Sequence, residues 1–171
     1  MDTANIERYL KSFGQNVVDD SEKLLKAAKG NTALGKSIRF KVEETATGFS
    51  TKFYMDDYGT FLDKGVSGNK EKQSYKDSKG QTVSSPYSYT TKGPPIDILS
   101  KWIKKKGIKP KGIKRGRSKN TGQFVSGLAY LISKKIKRDG IKSISFFQKP
   151  LGLWYDRLQD DFLKIFTQDI Q

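Results

Sequence analysis

Cysteine and histidine are both missing from the 171 residues. Their absence excludes disulfides, thiolate nucleophiles, the usual zinc ligand sets and imidazole acid–base catalysis. An enzyme built from this chain would rely on carboxylates, lysine, tyrosine or serine alone, so composition points to a protein that binds and assembles. Long apolar runs are missing too. None approaches the roughly 20 residues that cross a bilayer, and the N-terminal stretch MDTANIERYL has no apolar signal-peptide core. The expectation is a protein made in the cytoplasm, with no membrane partner. Apolar residues are scarce at 35%, against 30% charged, which permits a modest core and favours support from other subunits.

Positive charge is what the chain has in excess. The net +15 is unevenly placed: residues 1–60 carry nine acidic and nine basic side chains, whereas residues 101–149 hold sixteen Lys or Arg against Asp139 alone. Ten of those cations fall between Lys101 and Lys119, with no acid among them. Clustering of this kind calls for a polyanionic neighbour. Three readings stay open for Lys104, Lys105, Lys106, Lys109, Lys111, Lys114, Arg115, Arg117 and Lys119. They contact phosphates, they dock on an acidic protein ring, or they form a solvated basic surface. No helix-turn-helix, zinc-finger or RNA-recognition signature points to base-specific reading.

Periodicity organises the rest. Ile6, Leu10, Phe13, Val17, Leu24 and Ala28 recur at three- and four-residue steps and predict a helix over 5–29, capped by Asp2 or Thr3 and stopped by Gly30. Alternation in Ser37–Val42 and Phe49–Met55, around a turn at Thr45–Gly48, predicts a hairpin with Ile38, Phe40 and Val42 on its inner face. A short helix over 57–64 ends at Gly65. Residues 66–93 are polar and nearly free of aliphatic side chains. They read as an extended loop or arm in which Tyr75, Tyr87 and Tyr89 would meet a partner, or as a simple insertion. Pro94-Pro95 opens a second helix along Ile96, Leu99 and Ile103, ending at Gly107. A third helix is predicted over 122–138, with Val125, Leu128, Ala129, Ile132 and Ile136 inward. Residues 144–147 read as a strand, and a last amphipathic helix begins at Leu153 and takes up the C-terminal 153–171.

Two patterns in the chain carry possible chemistry. Gly30-Asn31-Thr32-Ala33-Leu34-Gly35-Lys36-Ser37 matches the phosphate-loop spacing, but such a loop follows a buried strand and opens a helix, and here the order is reversed. The carboxylate doublets Glu43-Glu44, Asp56-Asp57 and Asp160-Asp161 are adjacent, so their side chains do not face one another. The reading is therefore no catalytic residue, no metal site and no cofactor.

Four blocks taken together resemble the neck and tail-component family of tailed bacteriophages, which includes head–tail connector and tail-completion proteins. They are Thr32–Ile38, Tyr58 through Gly68, Pro94–Ile103 with Gly107, and Leu128–Gly140 followed by Ser145-Phe146-Phe147. Residues 69–93 read as an insertion in that pattern. The resemblance implies a single α+β domain, a small antiparallel sheet packed by three to four helices with a long polar arm. It implies a structural virion protein forming a homo-oligomeric ring at the head–tail junction or upper tail, against portal, neck or tail proteins. Non-specific contact with packaged double-stranded DNA in the channel follows from the same resemblance. The alternative is a basic nucleic-acid-binding accessory protein.

Overall fold

A computed structural model describes residues 4–108, 116–117, 124–125 and 127–170. Six helices and eight short strands make an α+β fold, with the strands paired in four two-stranded sheets among the described residues. The chain divides into two compact units, residues 1–64 with 75–83 and 143–171, and residues 65–74 with 84–142.

Among the described residues, the first unit holds most of the core. Its long helix α1 (Ala4–Lys29) ends where Gly30 adopts φ +74° and donates its N–H to Lys26 O at 2.8 Å. Phe13, Val17, Val18 and Leu25 are buried along one side. The apolar stripe read from sequence is corrected at its far end: Leu24 is 39% exposed and Leu25 only 1%. Buried Gly14, Val18, Ser21 and Leu25 step by four, three and four residues, so Leu24 stands about 100° off the inward line. The short helix α2 (Ala33–Ser37) was not foreseen. Thr32 starts it, its side-chain oxygen accepting from Gly35 N at 3.2 Å.

Strands β1 (Arg39–Thr45) and β2 (Gly48–Tyr54) form the predicted hairpin, with Phe40 opposite Phe53 and Thr45 opposite Gly48. Phe40 lies so close over Gly14 of α1 that no Cβ would fit between them. Phe53 meets Phe13 and Phe147 edge-on at 6.1 and 5.4 Å. Leu34, Ile38 and Phe146 complete the buried cluster.

Helix α3 (Gly59–Lys64) ends at Gly65, φ +73°, as expected. The predicted strand over 144–147 is not there. Ile144 N and Ser145 N instead donate to Leu62 O and Asp63 O, each at 3.0 Å, and Ser145 takes φ +50°. The reason is Asp63. Its carboxylate accepts from Phe147 N at 2.8 Å and Gln148 N at 3.4 Å, which starts α6 (Gln148–Ile170) five residues ahead of the expected Leu153. A negative group at that helix end also meets the positive pole of the backbone dipoles.

The second unit shows few buried apolar side chains among its described residues. Val66, Ile103 and Ala129 are its buried hydrophobics among the described residues. Helix α4 (Ile96–Lys105) packs on α5 (Gly127–Asp139). The third helix therefore begins later than the predicted 122. Phe124–Val125 form strand β7, paired with β6 (Gly116–Arg117), and β-branched Val125 favours that extended state. Strand β8 (Gly140–Ile141) follows α5 and pairs with β3 (Val66–Ser67).

Candidate partner-binding surface: the basic unit

The two units differ in charge as sharply as in core. Counted over the full sequence, the first carries fifteen Lys or Arg and fifteen Asp or Glu, and so sums to zero. The second carries eighteen Lys or Arg against Glu71, Asp97 and Asp139, and holds the entire +15. Of those acids, Asp139 is already taken: Arg138 lies at 2.5 Å and Lys135 at 3.6 Å. The Arg138 hydrogen bond is the main reason its carboxyl sits below the ordinary range. Like charges at this density repel one another.

Hydrogen bonds to backbone carbonyls tie the described parts of the unit together. Ser67 donates its N–H to Tyr87 O and accepts from Tyr89 N, each at 2.8 Å. Asn69 N and Lys70 N donate to the last carbonyls of α5, Lys137 O and Arg138 O, at 2.9 Å each. Gln73 Nε2 donates to Asp139 O at 2.8 Å. Ser133 Oγ donates to Pro94 O at 2.7 Å, and Lys137 Nζ to Thr91 O at 2.7 Å, which straps the lead-in of α4 along α5.

On this frame Lys104, Lys105 and Lys106 project to solvent at the end of α4, where cations favour the negative helix pole. Arg117 falls in β6 opposite Phe124. Lys109, Lys111, Lys114, Arg115 and Lys119 lie outside the described residues. The same unit adds Lys134, Lys135, Lys137, Arg138 and Lys142, which belong to the charge excess but lie outside the 101–119 cluster. Their pattern signal was faint, because an amphipathic helix carries basic residues on its wet face in any protein.

The three tyrosines of the polar segment fall in different units. Tyr75 belongs to the first unit, where Lys64 Nζ lies 5.8 Å from its ring centre, while Tyr87 and Tyr89 belong to the second. All three are half-buried within their own chain. The segment between them is tied down locally. At the turn joining β4 (Ser74–Lys76) to β5 (Thr82–Ser84), Asp77 Oδ1 accepts from Lys79 N at 3.0 Å and Gln81 N at 2.8 Å. Gly152 of α6 gives Ser78 O room that a side chain would fill.

The phosphate-loop match has another use here. Gly30 ends α1, the following residues form α2, and the Ser37 hydroxyl donates to Leu34 O at 2.8 Å while accepting from Asp56 N at 3.0 Å. Of the carboxylate doublets, Glu43 bridges Lys41 and Lys52, and Asp161 accepts from the Tyr9 hydroxyl at 3.2 Å. Among the described residues no group of three or more acidic side chains is placed to hold a metal ion. None of their helices is long and apolar enough to cross a membrane. No protein-family model matches the chain, and no curated protein or solved structure matches it at a significant level.

Proposed function

We propose that this chain is a non-enzymatic structural subunit that works in a ring at the head–tail junction or upper tail of a tailed bacteriophage. The observation that carries the reading is the division of charge and core: a neutral unit with a packed interior, and a unit that bears all +15 charges and whose buried hydrophobics, among the described residues, are Val66, Ile103 and Ala129. A unit of that kind gains stability when a polyanion or an acidic protein face covers it, because binding to the folded form alone shifts the folding equilibrium. Repetition around a ring would multiply the effect and concentrate positive charge on the particle's axis or its neighbours. The order of the four sequence blocks supplies the assignment to phage neck and tail components.

Electron cryomicroscopy of intact particles, with density assigned to this chain, tests the proposal. The expected result is a closed ring next to portal, neck or tail proteins. Particles of the same virus that lack the chain would overturn it.

The same charge division favours one further reading, a nucleic-acid-binding accessory protein that acts as a free subunit. Its signature is binding to duplex DNA that weakens linearly in log–log terms as salt rises, by about 0.9 per phosphate neutralised. Changing Lys104, Lys105 and Lys106 to Gln would flatten that slope. A ring subunit would lose assembly instead.

A further inference from the structure

Two exposed helix faces share one spacing with opposite signs. On α4, Ile98 is followed at three and seven positions by Lys101 and Lys105. On α6, Leu153 is followed at the same intervals by Asp156 and Asp160. Steps of three and seven return to nearly the same side of a helix, so each trio forms a narrow stripe led by an apolar residue. Both leaders stand in water, Ile98 at 62% exposed and Leu153 at 50%, and all four charged residues are exposed as well. None of the four takes part in an ion pair within the described residues. Trp102, 45% exposed and one turn from Ile98, widens the apolar part of the α4 face.

We propose that these faces are the two halves of a contact between successive copies of the chain, with α4 of one copy seated on α6 of the next. The inference rests on the ring reading and names the surface that would close the ring. Charge argues for a second copy as occupant and for this pairing. A symmetric contact of α4 with α4 would set two +15 units against each other, whereas α6 belongs to the neutral unit and offers an acidic stripe of matching pitch. A head-to-tail contact uses two different patches, and it is the kind that generates rings. Apolar leaders supply the attraction, and the charged stripes set register and reject the wrong partner.

The test is charge exchange on the full chain, read as mass by analytical ultracentrifugation. A first variant carries Lys101→Asp and Lys105→Asp, a second Asp156→Lys and Asp160→Lys, and a third all four changes. Each of the first two is expected to raise the dissociation constant of the oligomer by about 10- to 100-fold, since like charges then face each other. The fourfold variant is expected to reassemble, and so is an equimolar mixture of the first two. Unchanged melting temperatures would show that the variants fold. If the wild type assembles and neither pair of changes weakens it, or the fourfold variant does not recover, this contact is wrong while the ring reading stands. A wild type that stays monomeric at high concentration overturns both.

Discussion

The backbone N–H of Phe147 donates to the carboxylate of Asp63 across 2.8 Å, joining positions 84 apart in sequence. One buried side chain near the end of α3 thereby caps the start of α6. Asp63 is 1% exposed, and burial is the main force raising its carboxyl above the ordinary range, partly offset by the Phe147 and Gln148 backbone hydrogen bonds.

Asp63→Ala should lower stability by about 1–3 kcal/mol, because two part-buried N–H groups at the start of α6 lose their acceptor. Asp63→Asn keeps an acceptor oxygen and should cost less. The pH dependence has a definite sign. A raised folded value means that the folded state holds the proton more tightly, so this contribution is full below about pH 3.9 and is lost as pH rises through the folded value. Wild type measured against Asp63→Asn by urea unfolding should therefore compare best in acid and fall behind as pH rises. A difference that grows with pH would contradict the assignment.

Gly14 faces a similar test of magnitude. In an ordinary helix Gly→Ala gains about 1 kcal/mol. Here the added methyl would run into the Phe40 ring, and such overpacking costs about 1–3 kcal/mol. Gly14→Ala should therefore lower the melting temperature. Adding Phe40→Leu should recover part of the loss, a coupling that distant sites do not show.

Gly140 and Gly107 separate strain from collision. Both have positive φ, +80° and +65°. A side chain at Gly107 would meet nothing within 4 Å, whereas one at Gly140 would collide with Val66 O across the β3–β8 pair. Gly107→Ala should cost about 1–2 kcal/mol from backbone strain alone. Gly140→Ala should cost more, and it should speed hydrogen exchange at Val66 and Ile141.

Trp154 reports on Asp20. Its Nε1 donates to Asp20 Oδ2 at 2.8 Å, and Arg157 stacks 4.5 Å over the ring. That hydrogen bond, more than the one from Lys23, holds the Asp20 carboxyl below its ordinary range. A lowered folded value contributes stability above the unfolded value, lost as pH falls through the folded one. In a Trp102→Phe background, Trp154 fluorescence should change with a midpoint below about pH 3.9. Trp154→Phe should abolish that transition and cost about 1 kcal/mol.

Periodicity and punctuation alone determined the α+β class, the long first helix with its Gly30 stop, the 39–54 hairpin, and the Pro94-Pro95 start of α4. These features rest on neighbours within a few residues, and the information is local. Composition likewise placed the charge excess. Only the tertiary structure decided that Leu25 and not Leu24 faces the core, that residues 144–147 leave the strand state, and that α6 begins at Gln148. The last two depend on a group far away in sequence, Asp63, and a single buried acceptor can override a local preference worth less than about 1 kcal/mol. The same holds for charge. The excess was legible as one stretch, residues 101–149, and folding decided only which other segments join most of that stretch in one unit, because contacts between distant segments drew the boundary.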